Sequence, residues 1–103
     1  MQTHAKKQIT IIVERPLVNR LTHYLEREEV TGYTVLPALG GSGSEGAWSR
    51  EGMIGDTGQM VQVVCILDPA RLDAVLDGAY AILSHQIGIV TVQDVSVVRP
   101  ERF

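Results

Sequence analysis

Two kinds of hydrophobic spacing alternate along this chain, and their order leaves few folds open. In Gln8–Glu14 (QITIIVE) the residues Ile9, Ile11 and Val13 share one face and Ile12 the other, which predicts a strand. Arg15-Pro16 then starts a helix, because proline is tolerated in a first turn. Leu17, Val18, Leu21, Tyr24 and Leu25 recur at helical spacing as one buried stripe. Glu26, Arg27, Glu28 and Glu29 close it as a solvated run, and His23 reads as a surface histidine. Thr31–Leu36 is a second strand and Gln59–Leu67 a third, interrupted only by Gln62. Asp68-Pro69 opens a second helix, with aspartate as N-cap and proline at the first helical position. Its stripe is Leu72, Val75, Leu76, Ala79, Tyr80, Ile82 and Leu83, and His85-Gln86 ends it. Ile87–Val98 is the last strand. Its apolar phase changes between Val90/Val92 and Val95/Val97, which predicts a bulge near Gln93-Asp94.

The order strand, helix, strand, loop, strand, helix, strand predicts an α+β, ferredoxin-like βαββαβ fold, a four-stranded antiparallel sheet with two helices on one face. The 103 residues fit one domain, 1–103. Ile12, the third strand and the last strand also place apolar residues on the side that two helices leave bare, so a closed homo-oligomer is expected. A net charge of −3 argues against nucleic-acid binding by long-range attraction. The first and third strands also lack the aromatics on which RNA bases stack. Cys65 lies in the apolar run MVQVVCIL and reads as a buried hydrophobe. No stretch is apolar enough to span a membrane and the N-terminus lacks a signal-peptide core, so a cytoplasmic location is expected.

Between the second and third strands, from about 38 to 58, the chain is rich in glycine. Such a length inside a small domain points to function or disorder. Gly40-Gly41-Ser42-Gly43-Ser44-Glu45-Gly46 offers unhindered amides and hydroxyls, suited either to an anion-binding nest or to a flexible linker. It is neither a Walker sequence nor a dinucleotide fingerprint. Trp48 and Arg50 ride on the same segment, where Trp48 is either a partner contact or an anchor folded back on its own domain. Arg99 and Arg102 follow the last strand, as phosphate ligands or as solvated tail charges. His4, His23 and His85 lack metal-ligand spacing, and no nucleophile is paired with a base, so no enzyme activity, metal or prosthetic group is expected.

Thr31-Gly32-Tyr33-Thr34-Val35, the glycine-rich start of the long loop, and Leu67-Asp68 with Leu72-Asp73 together resemble the PII signal-transduction family. Gly-Tyr-Thr-Val followed by Gly-Gly-Ser-Gly-Ser is closer to the PII-like proteins of inorganic-carbon metabolism, linked to carboxysomes and bicarbonate transport, than to the nitrogen-regulatory members. The resemblance implies a homotrimer that binds adenine nucleotides between subunits, with the long loop (the T-loop) engaging a protein target such as a bicarbonate transporter. It places Thr34 and Val64 by the adenine, and Gly40, Gly41, Ser42, Gly43 and Ser44 at the phosphates. Gly88 is placed in the loop before the last strand and Arg99, with Arg102 beside it, at a phosphate of the neighbouring chain. Trp48 and Arg50 become target contacts.

The family's nitrogen-regulatory pattern has Arg-Gln-Lys where this chain has Gly43-Ser44-Glu45, and a basic loop where it has His85-Gln86-Ile87-Gly88. No tyrosine occurs in the T-loop, which excludes uridylylation of the usual kind. Fewer cations favour AMP or ADP over ATP, because each added phosphate charge needs a partner when desolvated. The carbon-linked relatives imply bicarbonate as a second ligand, and 2-oxoglutarate is not expected. An ACT-type effector module is the alternative on the same fold, although it lacks such a loop. An acylphosphatase-type enzyme would need a cradle near Arg15 and Asn19, which Pro16 and the missing glycines there oppose.

Overall fold

A computed structural model describes residues 1–30, 32–43, 46–49, 59–84 and 88–103, without side-chain detail at 46–49 and 102. The elements are β1 (His4–Glu14), α1 (Val18–Arg27), β2 (Tyr33–Pro37), β3 (Gly40–Gly43), β4 (Gly46–Ser49), β5 (Met60–Leu67), α2 (Leu72–Leu83) and β6 (Gly88–Val97). Each helix is entered through a single 3₁₀ turn whose proline, Pro16 or Pro69, lies in its first turn. The main sheet has the order β2-β5-β1-β6, antiparallel throughout, which is the ferredoxin-like arrangement that the alternating periods predict.

Residues paired across strands share a face. Ile9, Ile11 and Val13 of β1 pair with Cys65, Val63 and Val61 of β5, and this row lies under the helices. Leu21, Tyr24 and Leu25 of α1 and Val75, Ala79 and Leu83 of α2 complete the core. Tyr80 departs from the expected stripe and is exposed. The row Leu72–Leu76–Tyr80 advances about 40° per four residues around the helix, so its third member has turned away from the sheet. Cys65 is fully buried, and burial pushes its thiol up to about 11, which keeps it protonated and inert at neutral pH.

The expected bulge in the last strand is absent. β6 pairs with β1 in unbroken register from His4↔Val97 to Val13↔Gly88. Val90 and Val92 lie opposite Ile11 and Ile9 on the helix side, whereas Val95 and Val97 lie opposite Lys6 and His4 on the other. The phase change therefore records a change in which face is buried, shared by both strands, since Lys6 and Val97 are buried on the side away from the helices. Asp68 stands at the N-terminal cap position but makes no capping hydrogen bond. Its carboxylate instead accepts from the ammonium of Lys6, a lysine only 8% exposed. A buried cation needs such a partner more than a short helix needs its cap.

The two helices meet where α2 has no side chain. A Cβ on Gly78 would sit 1.9 Å from the Tyr24 hydroxyl oxygen, so glycine is what admits the phenol. That hydroxyl donates to the carbonyl oxygens of Val75 (3.1 Å) and Ala74 (3.4 Å). Burial, with the carboxylate of Glu28 adding to it, raises the Tyr24 pKa above its usual value.

α1 ends in a Schellman arrangement. The Val30 amide donates to Leu25 O (2.8 Å), the Glu29 amide to Glu26 O (3.0 Å), and Glu29 is left-handed at φ 59°. Val30 and Leu25 are both buried, the hydrophobic contact this motif favours, and the Arg71 guanidinium donates to the Glu28 carbonyl. A left-handed glutamate is strained where glycine would not be. Glu29→Gly is therefore expected to stabilise the protein by about 0.5–1 kcal/mol, read as a higher urea midpoint. A midpoint that falls would show that the Glu29 side chain stabilises the cap by more than its backbone costs.

Candidate functional site

The glycine-rich segment leaves and re-enters the sheet at one place. Ala38 N donates to Met60 O (3.1 Å), and Arg15 N to Gln59 O (2.9 Å), so both feet continue the ladder. The sequence predicts a plain loop here, but the segment includes a two-stranded antiparallel ribbon of β3 and β4, with Gly40↔Ser49, Gly41↔Trp48, Ser42↔Ala47 and Gly43↔Gly46. Glycine composition masks this ribbon in the sequence, because strand signals rest on β-branched and aromatic residues. Successive amides of an extended strand point to opposite edges, so in this conformation Gly40–Gly43 offers alternate amides along one edge rather than a converged nest. A Cβ on Gly43 would meet nothing within 4 Å, so packing does not demand that glycine.

On the sheet face away from the helices, Thr34 pairs with Val64, Val64 with Thr10, and Thr10 with Thr91. The next row toward the glycine-rich segment is Leu36, Gln62, Ile12 and Ile89, and on the far side lie Ile66, Gln8 and Gln93. This face is more polar than the sequence suggests. Gln8 donates to Gln93 (3.0 Å) and to Thr10 (3.3 Å), among half-buried Ile12, Val64 and Ile66 and exposed Leu36 and Ile89. Thr34 and Val64 are thus adjacent, one strand-length below the root of the ribbon. At the edge of the sheet, the Tyr33 hydroxyl donates to Glu26, a hydrogen bond that raises its pKa.

Gly88 and Arg99 lie elsewhere. Gly88 opens β6 opposite Val13, at the end of the sheet from which the glycine-rich segment springs. A Cβ there would come within 3.2 Å of Ile12 O and 3.3 Å of a Val13 methyl, so Gly88 has a packing reason of its own. Arg99 follows the other end of β6. That strand has 10 residues, about 30 Å at 3.3 Å per residue. Gly88 and Arg99 of one protomer are therefore too far apart for a single small ligand. Arg99 is exposed and has no ion-pair partner among the described residues, whereas Lys6 and Lys7 are paired with Asp68 and Asp94. Ser44 and Arg50 lie outside the described residues, as do the Trp48 and Arg102 side chains and the predicted helix stop at His85-Gln86. Among the described residues there is no group of three or more His, Cys, Asp or Glu side chains that would hold a metal, and no helix long and apolar enough to cross a membrane.

The family model for nitrogen regulatory protein P-II matches residues 6–102. No curated protein sequence matches the chain. Among solved structures, CPII, a nitrogen regulatory PII-like protein from Thiomonas intermedia K12 bound to ADP, AMP and bicarbonate, superposes with a TM-score of 0.89 at 26% identity. The match covers 99% of this chain and 96% of that one. CPII has also been solved with ADP, AMP and acetate. A PII-like signalling protein from Thermus thermophilus matches at TM-score 0.83 and 26% identity, over 100% and 99% of the two chains. A DUF3240 family protein from Shewanella baltica OS155, at TM-score 0.63, 16% identity and 90% of each chain, shares the fold alone. The family match runs through every element of the main sheet and both helices, and the chain belongs to the nitrogen regulatory protein P-II family.

Proposed function

We propose that this chain is a non-enzymatic PII-like sensor that binds AMP or ADP between subunits of a homotrimer, with bicarbonate as a second ligand. The observation that carries the reading is the likeness over nearly the full length to CPII, a protein bound to ADP, AMP and bicarbonate. The geometry agrees with a shared site. Thr34 and Val64, neighbours on the open face, take the adenine, and alternate amides along one edge of Gly40, Gly41, Ser42, Gly43 and Ser44 take the phosphates. Gly88 stands at the same end of the sheet as the ribbon's root, so it serves the same site from the same chain. Arg99 does not, because it follows the far end of β6, about 30 Å along the strand from Gly88 at about 3.3 Å per residue. A second copy must supply that guanidinium, with Arg102 beside it, and so the site is incomplete in a monomer.

Bicarbonate and acetate are both small planar anions that accept paired hydrogen bonds, which suits amides and an arginine at the ribbon's root. If nucleotide and anion both order the glycine-rich segment, each lowers the entropic cost of the other and their affinities are coupled. Trp48 and Arg50 on that segment then present the occupied state to a protein target in inorganic-carbon uptake or fixation, such as a bicarbonate transporter, in the cytoplasm. An ACT-type effector module is the weaker reading, since the family match and the long segment both speak for PII.

Calorimetric titration of AMP, ADP, ATP and cyclic AMP, each with and without bicarbonate, tests this. AMP or ADP is expected to bind tightest and bicarbonate to tighten it. ATP binding best would overturn the preference, an indifferent bicarbonate the coupling, and no uptake at millimolar adenylate the sensor itself.

A further inference from the structure

β5 is apolar from Met60 to Leu67 except at Gln62. That residue faces away from the helices, with Leu36 of β2 and Ile12 of β1 as its direct cross-strand partners. It is half-buried, and none of the hydrogen bonds among the described residues involves its carboxamide. A half-exposed carboxamide with no partner in its own protomer is left to water, and so is free to bond a group that comes from outside the protomer.

Its position says what that partner is. Gln62 precedes Val64 by two residues on the same face, about 7 Å along the strand, and stands diagonally across from Thr34 at about 7–8 Å. Those are the two residues set against the purine in the function proposed above, on which this inference rests. A planar base lying on Thr34 and Val64 brings one edge within reach of the Gln62 side chain. A carboxamide offers one acceptor and two donors, the complement of the edge of adenine that carries the 6-amino group and N7.

We infer that Gln62 selects the base: its carbonyl accepts from the 6-amino group while its NH2 donates to N7. A 6-oxopurine presents acceptors at both positions, so the carbonyl of Gln62 would oppose the O6 atom and one bond of the pair is lost. Gln62 is thus a specificity-determining residue that acts on the base and leaves the phosphates to the ribbon and the neighbour's arginine.

The test compares AMP with IMP on the wild-type protein and on Gln62→Leu, by calorimetry, with light scattering on both proteins. Wild type is expected to prefer AMP by about tenfold or more, the discrimination typical of one bidentate pair. Gln62→Leu is expected to lose that preference, with AMP binding weakened more than IMP binding and the assembly mass the same. A variant that keeps the preference overturns the inference, as does one whose assembly mass changes, which would place Gln62 in a subunit contact. Wild type binding AMP and IMP equally also removes the inference but leaves the adenylate reading standing, whereas wild type binding neither removes both.

Discussion

Replacing Gly78 with alanine is expected to destabilise the protein by about 2–3 kcal/mol, although alanine is the better helix former by about 1 kcal/mol. The new methyl would lie 1.9 Å from the Tyr24 hydroxyl oxygen and 2.3 Å from the ring carbon that bears it, so the ring must move. Moving it breaks the hydrogen bonds to Val75 and Ala74 and leaves a buried hydroxyl unsatisfied between the helices. A double-mutant cycle in urea separates this mechanism from a general intolerance of α2. In a Tyr24→Leu background the same Gly78→Ala change should be neutral or stabilising by up to about 1 kcal/mol. An equal loss in both backgrounds would show that the phenol is not the cause.

Arg99→Ala is expected to weaken AMP binding roughly 10- to 100-fold, as for the loss of a charge-assisted contact to phosphate. Adenosine, which carries no phosphate, should bind wild type and variant alike. An equal loss for both ligands would show that Arg99 supports the fold or the assembly rather than the phosphate. If, as proposed, the guanidinium reaches the site from a neighbouring copy, mixing Arg99→Ala subunits with subunits defective at Gly40–Gly43 should regenerate some intact sites, which a monomeric site could not do.

The strands and helices are legible in the sequence because their buried faces obey simple periods. Ile9, Ile11 and Val13 announce β1, and Leu17, Leu21, Tyr24 and Leu25 announce α1. The bulge is a false signal because the phase change between Val92 and Val95 is visible in one strand, whereas its explanation lies in β1, whose pattern changes beside it. Asp68 misleads for a like reason: a local rule predicts the cap, but the partner that claims its carboxylate, Lys6, is 62 residues away in sequence. Glu29 carries no signal at all, since a left-handed cap is normally announced by glycine or asparagine. At the candidate site, residue type marks the glycine amides and the arginines as candidate anion ligands. It gives no hint that Gly40–Gly43 is extended, although the predicted last strand already sets Gly88 and Arg99 at its two ends. In the sequence Gln62 is only an interruption. Its neighbours become known once the register of β2, β5 and β1 is fixed.

The pinning of Ala38 to Met60 and of Arg15 to Gln59 has an evolutionary corollary. Departure and return occupy adjacent rungs, so amino acids can be added, removed or exchanged between them while the platform beneath keeps its geometry. For a sensor of the kind proposed, selection for a new target can then proceed on the projecting part alone, and changes of addressee need not be accompanied by compensating changes in the body that binds the nucleotide.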